Sequence, residues 1–190
     1  RIQTEGNNTK ADLVLTVDIS RIKELADTKL LAPLNSSIIQ MNIPPQFRDS
    51  NDNWTALSLR ARIIAVSKER VGKKSITTIE ELALPKWKGR VCSRKGSHVY
   101  NRAILASLIA HNGIEEAKEW TLGFVNNLAR RPQGNDRAQA KAIFTGQCDV
   151  ALMNTYYFGK MKNSKDYPEQ KQWADAIEIA FIDRKSGSAG

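Results

Sequence analysis

Between Arg90 and Ile182, short apolar runs alternate with longer stretches of helical spacing, and this alternation limits the possible folds more than any other feature. "RVCSR" and "CDVALMN" are short, apolar and bounded by polar residues, so they read as strands. Three helical stretches separate them. "SHVYNRAILASLIAHNG" offers Ser97 as N-cap and Asn112-Gly113 as terminator, "IEEAKEWTLGFVNNLA" follows, and "NDRAQAKAIFTGQ" carries Asp136 and Gln139 in capping-box spacing. Beyond the second strand, "TYYFGKMKN" opens a helix capped by Asn154 or Thr155, "PEQKQWADA" makes another, and "IEIAFI" ends as a strand. Upstream, "ADLVLTVD" (Ala11 to Asp18) reads as a buried strand and "ISRIKELADTKLL" as a helix. "WTALSLRARIIAVSK" supplies one or two strands, and "TTIEELALPKWKG" a helix capped by Thr77 or Thr78 and stopped near Pro85. Strands alternating with helices predict an α/β fold with largely parallel pairing.

At 190 residues and 41% apolar content the chain can bury a core, enough for one large domain or two small lobes. Its longest apolar run of this kind, "AILASLIA", falls short of the roughly 18 residues a membrane span needs. A formal charge of +9 favours anionic partners. The basic clusters are interrupted by apolar and acidic residues, however, and read as a solvated surface without a zinc-finger, RNP or helix-turn-helix phrase. Nucleophile-elbow, phosphate-loop, dinucleotide and zinc-protease motifs are absent from the sequence. Of the two histidines, His111 at a helix end suits the dipole, and His98 near a helix start is a candidate for lining a site. Cys92 and Cys148 open runs that read as adjacent strands, which leaves a disulfide and two buried thiols both open. "RIQTEG" resembles the last turn of a helix and "RKSGSAG" a flexible linker, so the chain is expected to be a truncated or engineered piece.

Four tyrosines occur in the whole chain, and two of them, Tyr156 and Tyr157, stand side by side where a buried run ends. Aromatic packing at an element boundary is one explanation. Another is metal binding: ionising a phenol at pH 7 costs about 4 kcal/mol, and a trivalent metal can supply the compensation. Tyr100 lies at the start of a different helix. Helix N-termini favour anions, so all three phenolates would gain there.

In order and spacing, "GRVCSRKGSHVYNRAILASLIAHNG", "LARRPQGNDRAQAKAIFTG" and "CDVALMNTYYFGKM" resemble the periplasmic ferric-iron-binding proteins of bacterial ABC importers. "TKADLVLTVDISRI" and "IPPQFRDSNDNWTALSLRARII" extend the resemblance, which runs to about Phe181. It implies a type II periplasmic-binding-protein architecture of two α/β lobes closing on Fe3+, and no enzymatic activity. It implies a partial first lobe with hinge strands over residues 1–84, a complete lobe bearing the tyrosines over 85–181, and a linker-like tail over 182–190. By the same likeness Tyr100, Tyr156 and Tyr157 ligate the metal, while Arg60, with Arg62 as its competitor, holds a synergistic anion such as carbonate. A further ligand of the family would lie upstream of Arg1. Delivery to an inner-membrane ABC permease, a periplasmic location, a monomeric state and a Cys92–Cys148 disulfide follow from the same resemblance, with neither nucleic acid nor membrane insertion. A solute-binding protein of this fold for an organic or oxyanion ligand is the nearest alternative, and a basic nucleic-acid-binding domain is the alternative of a different class.

Overall fold

The computed structural model of the chain describes residues 2–71 and 76–180. Its contacts divide between Leu59 and Arg60 into two compact units. The first holds α1 (Ile2–Glu5), α2 (Ile19–Asp27) and α3 (Ser37–Asn42), with 3-10 turns at Gly6–Asn8 and Pro45–Phe47. Asp18 caps α2 by accepting from the Ser20 amide at 3.4 Å, and Ser36 caps α3 by accepting from Ile39 at 3.4 Å. The segment from Ala11 to Asp18, expected as a buried strand, is not one: Leu13 and Leu15 are 81% and 78% exposed. Its alternation is that of a strand, but a ladder needs a neighbour, and among the described residues this unit pairs only Arg48 with Thr55.

The second unit is built on a four-stranded sheet in the order β2-β3-β1-β4. Its strands are β1 (Arg62–Ser67), β2 (Val91–Cys92), β3 (Val150–Asn154) and β4 (Ile177–Ala180). Helices α4 (Val99–Asn112), α5 (Ile114–Asn126) and α6 (Asp136–Phe144) connect β2 to β3, and α7 (Thr155–Lys162) with α8 (Glu169–Asp175) connects β3 to β4. Strands joined through helices run parallel, as β2 and β3 do, while β1 lies antiparallel to both β3 and β4. The expected largely parallel sheet is therefore corrected to a mixed one. Helical crossovers fix the direction of β2, β3 and β4 but say nothing of β1, which enters before any of them. β1 thus lies in the middle of this unit's sheet. The tail over 182–190 lies outside the described residues.

Alternation along β1 puts Ile64 and Val66 against Ile104 and Leu108 of α4 and Phe124 of α5, and Ile63 and Ala65 against Ile143, Met161 and Ala174 of α6, α7 and α8. Both faces of the sheet are therefore covered. Residues 77–87 form two 3-10 turns, Glu80–Ala83 and Pro85–Trp87, where one capped helix was expected. Pro85 shortens the run, and the capping is reversed: the Glu81 carboxylate accepts from the Thr77 amide at 2.8 Å and the Thr77 hydroxyl at 3.0 Å. α5 reaches this turn closely because Gly123 has no side chain; a Cβ there would lie 2.7 Å from the Ala83 carbonyl oxygen.

Burial opposes ionisation of Glu81, but hydrogen bonds from Lys86 and Thr77 outweigh it and pull the carboxyl down to about 2 from an ordinary 4.5. A depressed carboxyl contributes stability that is present above pH 4.5 and is lost as the pH falls toward 2. Glu81→Gln is expected to flatten the stability profile in that window, as read by urea unfolding at several pH values. A disulfide joins Cys92 and Cys148, with their Cα atoms 5.9 Å apart and their positions separated by 56 in sequence. Closing such a loop in the unfolded chain contributes about 4 kcal/mol. The Cys92→Ala, Cys148→Ala double variant should lose stability of that order in denaturant titration.

Candidate metal centre

Two strand-to-helix junctions build the site. α4 begins after the loop that leaves β2, with His98 rather than Ser97 as N-cap: its Nδ1 accepts from the Tyr100 amide at 3.2 Å. α7 begins directly after β3, with Asn154 at the cap position and Tyr156 and Tyr157 in the first turn. The Tyr156 and Tyr157 rings stack with centroids 4.5 Å apart at 28°. Across the junctions the Tyr100 and Tyr156 hydroxyl oxygens lie 3.3 Å apart. Tyr100, Tyr156 and Tyr157, chosen from sequence, are thus brought together from positions 56 residues apart.

Cations surround the phenols. The guanidinium carbons of Arg60, Arg94 and Arg62 lie 5.0, 5.1 and 5.6 Å from the Tyr100 ring centroid. Arg137 lies 5.1 Å from the Tyr157 ring, and the Lys160 ammonium 5.5 Å from the Tyr156 ring. Arg62, a candidate anion holder, already has both terminal nitrogens engaged: Nη1 donates to Asp136 at 2.9 Å and to Asn154 at 3.3 Å, and Nη2 to Asn101 at 3.3 Å. Arg94 donates from Nη1 to Asp136 at 2.9 Å, and its Nη2 lies 2.9 Å from His98 Nε2. Asn101 is held in turn by donating to Ser93 Oγ and the Arg94 carbonyl, both at 3.0 Å. His111 has no part in this group; its Nδ1 lies 2.8 Å from the Ser107 carbonyl within α4.

Sequence reading passed over Arg94, Arg137, Lys160 and the role of Asp136. Asp136 had been read as part of a capping box, but Asn135 makes the α6 cap by accepting from Ala138 at 3.1 Å, which leaves the Asp136 carboxylate for the arginines. Buried Gln139 donates instead to the Gln133 and Asn135 carbonyls, at 2.6 and 3.0 Å. The phrase "RPQGNDR" held the signal: a polar run directly before an apolar helical face has more side-chain groups than one cap can use.

The three phenols do not titrate alike. Burial, together with the hydrogen bond and neighbouring charge of Tyr156, pushes Tyr100 up to about 12, and burial and Tyr156 likewise raise Tyr157. Tyr156 goes the other way: burial opposes its ionisation, but hydrogen bonds from Tyr100, Tyr157 and Asn154 outweigh that and lower it. The cluster can therefore release a first proton from its centre. No group of three or more His, Cys, Asp or Glu among the described residues is arranged to hold a metal ion. Phenolate oxygens are the hard donors that this site offers.

Residues 8–189 match the family described as bacterial extracellular solute-binding protein. The chain belongs to that family. It is 42% identical over 181 residues to iron uptake protein A1 of Synechocystis, covering 95% of this chain and 50% of that protein. Among solved structures it resembles the ferric iron-binding protein A of Mannheimia haemolytica in an open conformation, at 46% identity and a TM-score of 0.86 over 94% of this chain and 56% of that one. It also resembles a Trichodesmium protein in complex with iron and citrate ligands, at 38% identity and a TM-score of 0.92 over 97% of this chain and 58% of that one. The chain spans about half the length of the curated relatives it matches. No helix among its described residues is long and apolar enough to cross a membrane.

With the Tyr156 hydroxyl removed, Tyr100 loses the hydrogen bond and the neighbouring charge that, after burial, do most to raise it, while burial and Tyr157 still push it up and Arg60 still pulls it down. In Tyr156→Phe the phenol absorbance titration between about pH 8 and 12 should lose its earliest component while the Tyr100 component moves down.

Proposed function

We propose that this chain is the tyrosine-bearing part of a solute-binding protein that takes ferric iron as its substrate and hands it to an ABC importer. The observation that carries the reading is the 3.3 Å approach of the Tyr100 and Tyr156 hydroxyls, with Tyr157 stacked against Tyr156. Three phenolates balance the charge of Fe3+ and match its preference for hard oxygen donors. Arg60 at Tyr100 and Arg94 at Tyr157 offset part of the upward push that burial and Tyr156 exert on those phenols, and the metal supplies the rest. The names of the Synechocystis and Mannheimia relatives, iron uptake and ferric iron-binding, support the same substrate.

In this reading Tyr100, Tyr156 and Tyr157 ligate the iron, and Arg60, whose guanidinium carbon lies 5.0 Å from the Tyr100 ring, holds a synergistic anion such as carbonate. Arg62 contributes charge from behind, because its terminal nitrogens already serve Asp136, Asn154 and Asn101. The protein acts as a monomeric carrier and not an enzyme, works in the periplasm, and meets an inner-membrane permease. Family membership supports this setting, and the disulfide suits an oxidising compartment.

Adding ferric iron should produce a visible phenolate-to-iron charge-transfer band, and Tyr156→Phe should lose most of the affinity while retaining the fold. Each ligating phenol must shed a proton, so affinity measured against a competing chelator should rise from about pH 5 to 8, by up to one proton per phenol. Full affinity in both Tyr156→Phe and Tyr157→Phe, or a flat pH profile, would remove the tyrosines as ligands.

A further inference from the structure

The Asp136 side chain is fully buried, and each of its oxygens serves one arginine. Oδ1 accepts from Arg94 Nη1 at 2.9 Å; Oδ2 accepts from Arg62 Nη1 at 2.9 Å and from the Asn154 amide at 2.7 Å. This is how a small oxyanion would be held between two guanidiniums and a backbone amide. The carboxylate also reaches both halves of the tyrosine site. Its arginines stand over the Tyr100 ring, and its amide partner is the residue two before Tyr156.

We infer that Asp136 is the positioning residue of the site and its built-in anion, neutralising Arg62 and Arg94 and fixing them beside Tyr100 without an anion from solution. The inference rests on the ferric reading above and deepens it. The neighbourhood is short of acceptors even with Asp136 in place: Arg62 Nε and Arg94 Nε are buried without a hydrogen-bond partner among the described residues. Burial already pushes the Arg62 guanidinium down from its ordinary value, and Asp136 is the main influence opposing that. Deleting the carboxylate therefore leaves two buried cations and an amide around a space the size of formate, a strong drive to take up an anion.

The test compares the unsubstituted chain, Asp136→Ala and the near-isosteric Asp136→Asn, each in sodium formate and in sodium chloride at equal ionic strength. In chloride, Asp136→Ala should bind ferric iron about 10- to 100-fold more weakly, with a weaker charge-transfer band. Formate should restore most of both. It should also raise the melting temperature of the iron-free Ala variant, and leave the unsubstituted chain and the Asn variant unchanged, since neither has the vacated space. With the same bicarbonate concentration in every arm to hold the Arg60 anion constant, a folded Ala variant indifferent to formate overturns the inference, as does an unsubstituted chain whose iron-free melting formate raises equally. If the Ala variant does not fold in chloride, refolding in formate alone supports the inference; failure in both passes the decision to Asp136→Asn. Retention of full affinity and band by the Asn variant overturns the inference, and their loss supports it. If the unsubstituted chain gives no ferric band, the ferric reading fails, and the formate effect on melting decides by itself whether Asp136 stands in for an anion.

Discussion

The parallel pairing of β2 with β3 is the constraint on which the site depends. Val91 faces Val150 and Cys92 faces Ala151, so both strands deliver the chain to the same edge of the sheet. The helices that follow, α4 and α7, consequently begin near each other although three helices separate the strands in sequence. Residues in the first turns of two such helices meet at the carboxyl ends of the strands, where open α/β sheets commonly place ligands. Tyr100 and Tyr156 touch for that reason. The helix dipoles and the nearby arginines then make the same edge hospitable to negative charge.

Charge at this edge is arranged in depth. Nearest the phenols are guanidinium and ammonium groups over the ring faces; behind two of these guanidiniums lies one buried carboxylate. Isolated buried arginines would be costly, and a carboxylate without arginines equally so, whereas the group of three with the Asn154 amide meets most of its hydrogen-bonding needs. A comparable arrangement ties β2 to β3 on the opposite side of the strands. There Asp149 accepts from Arg90 at 2.6 Å and also from Arg70, and these contacts hold its carboxyl below the usual range although burial pulls the other way.

Helix positions from Ser97 onward were legible because glycines and apolar spacing agree, although His98 and Asn135 make the caps assigned to Ser97 and Asp136; Gly113, at φ +93, ends α4 where Asn112-Gly113 had marked it. The adjacency of Tyr156 and Tyr157 at a strand end was visible in the sequence, and Tyr100 was singled out by its place at a helix start and by the family likeness; their meeting is a property of the fold. The direction of β1 was not, because strand polarity is a property of the partner and not of "RIIAVS" itself. The segment from Ala11 to Asp18 misled for a related reason: alternation shows what a stretch could pair with, not whether a partner is present. Arg94 escaped notice because it carries no local pattern, and Asp136 was read as a cap; their joint role appears only when α6 and the β2–α4 loop come together around Arg62.

Cys92 and Cys148 each lie eight residues before a tyrosine of the site, Tyr100 and Tyr156. Their bond closes a covalent ring that contains all of α4, α5 and α6. A protease cutting once anywhere on that ring would convert one chain into two polypeptides without letting them separate. Tyr100 and Tyr156 would stay in one molecule, tethered through sulfur, for as long as the surroundings remained oxidising.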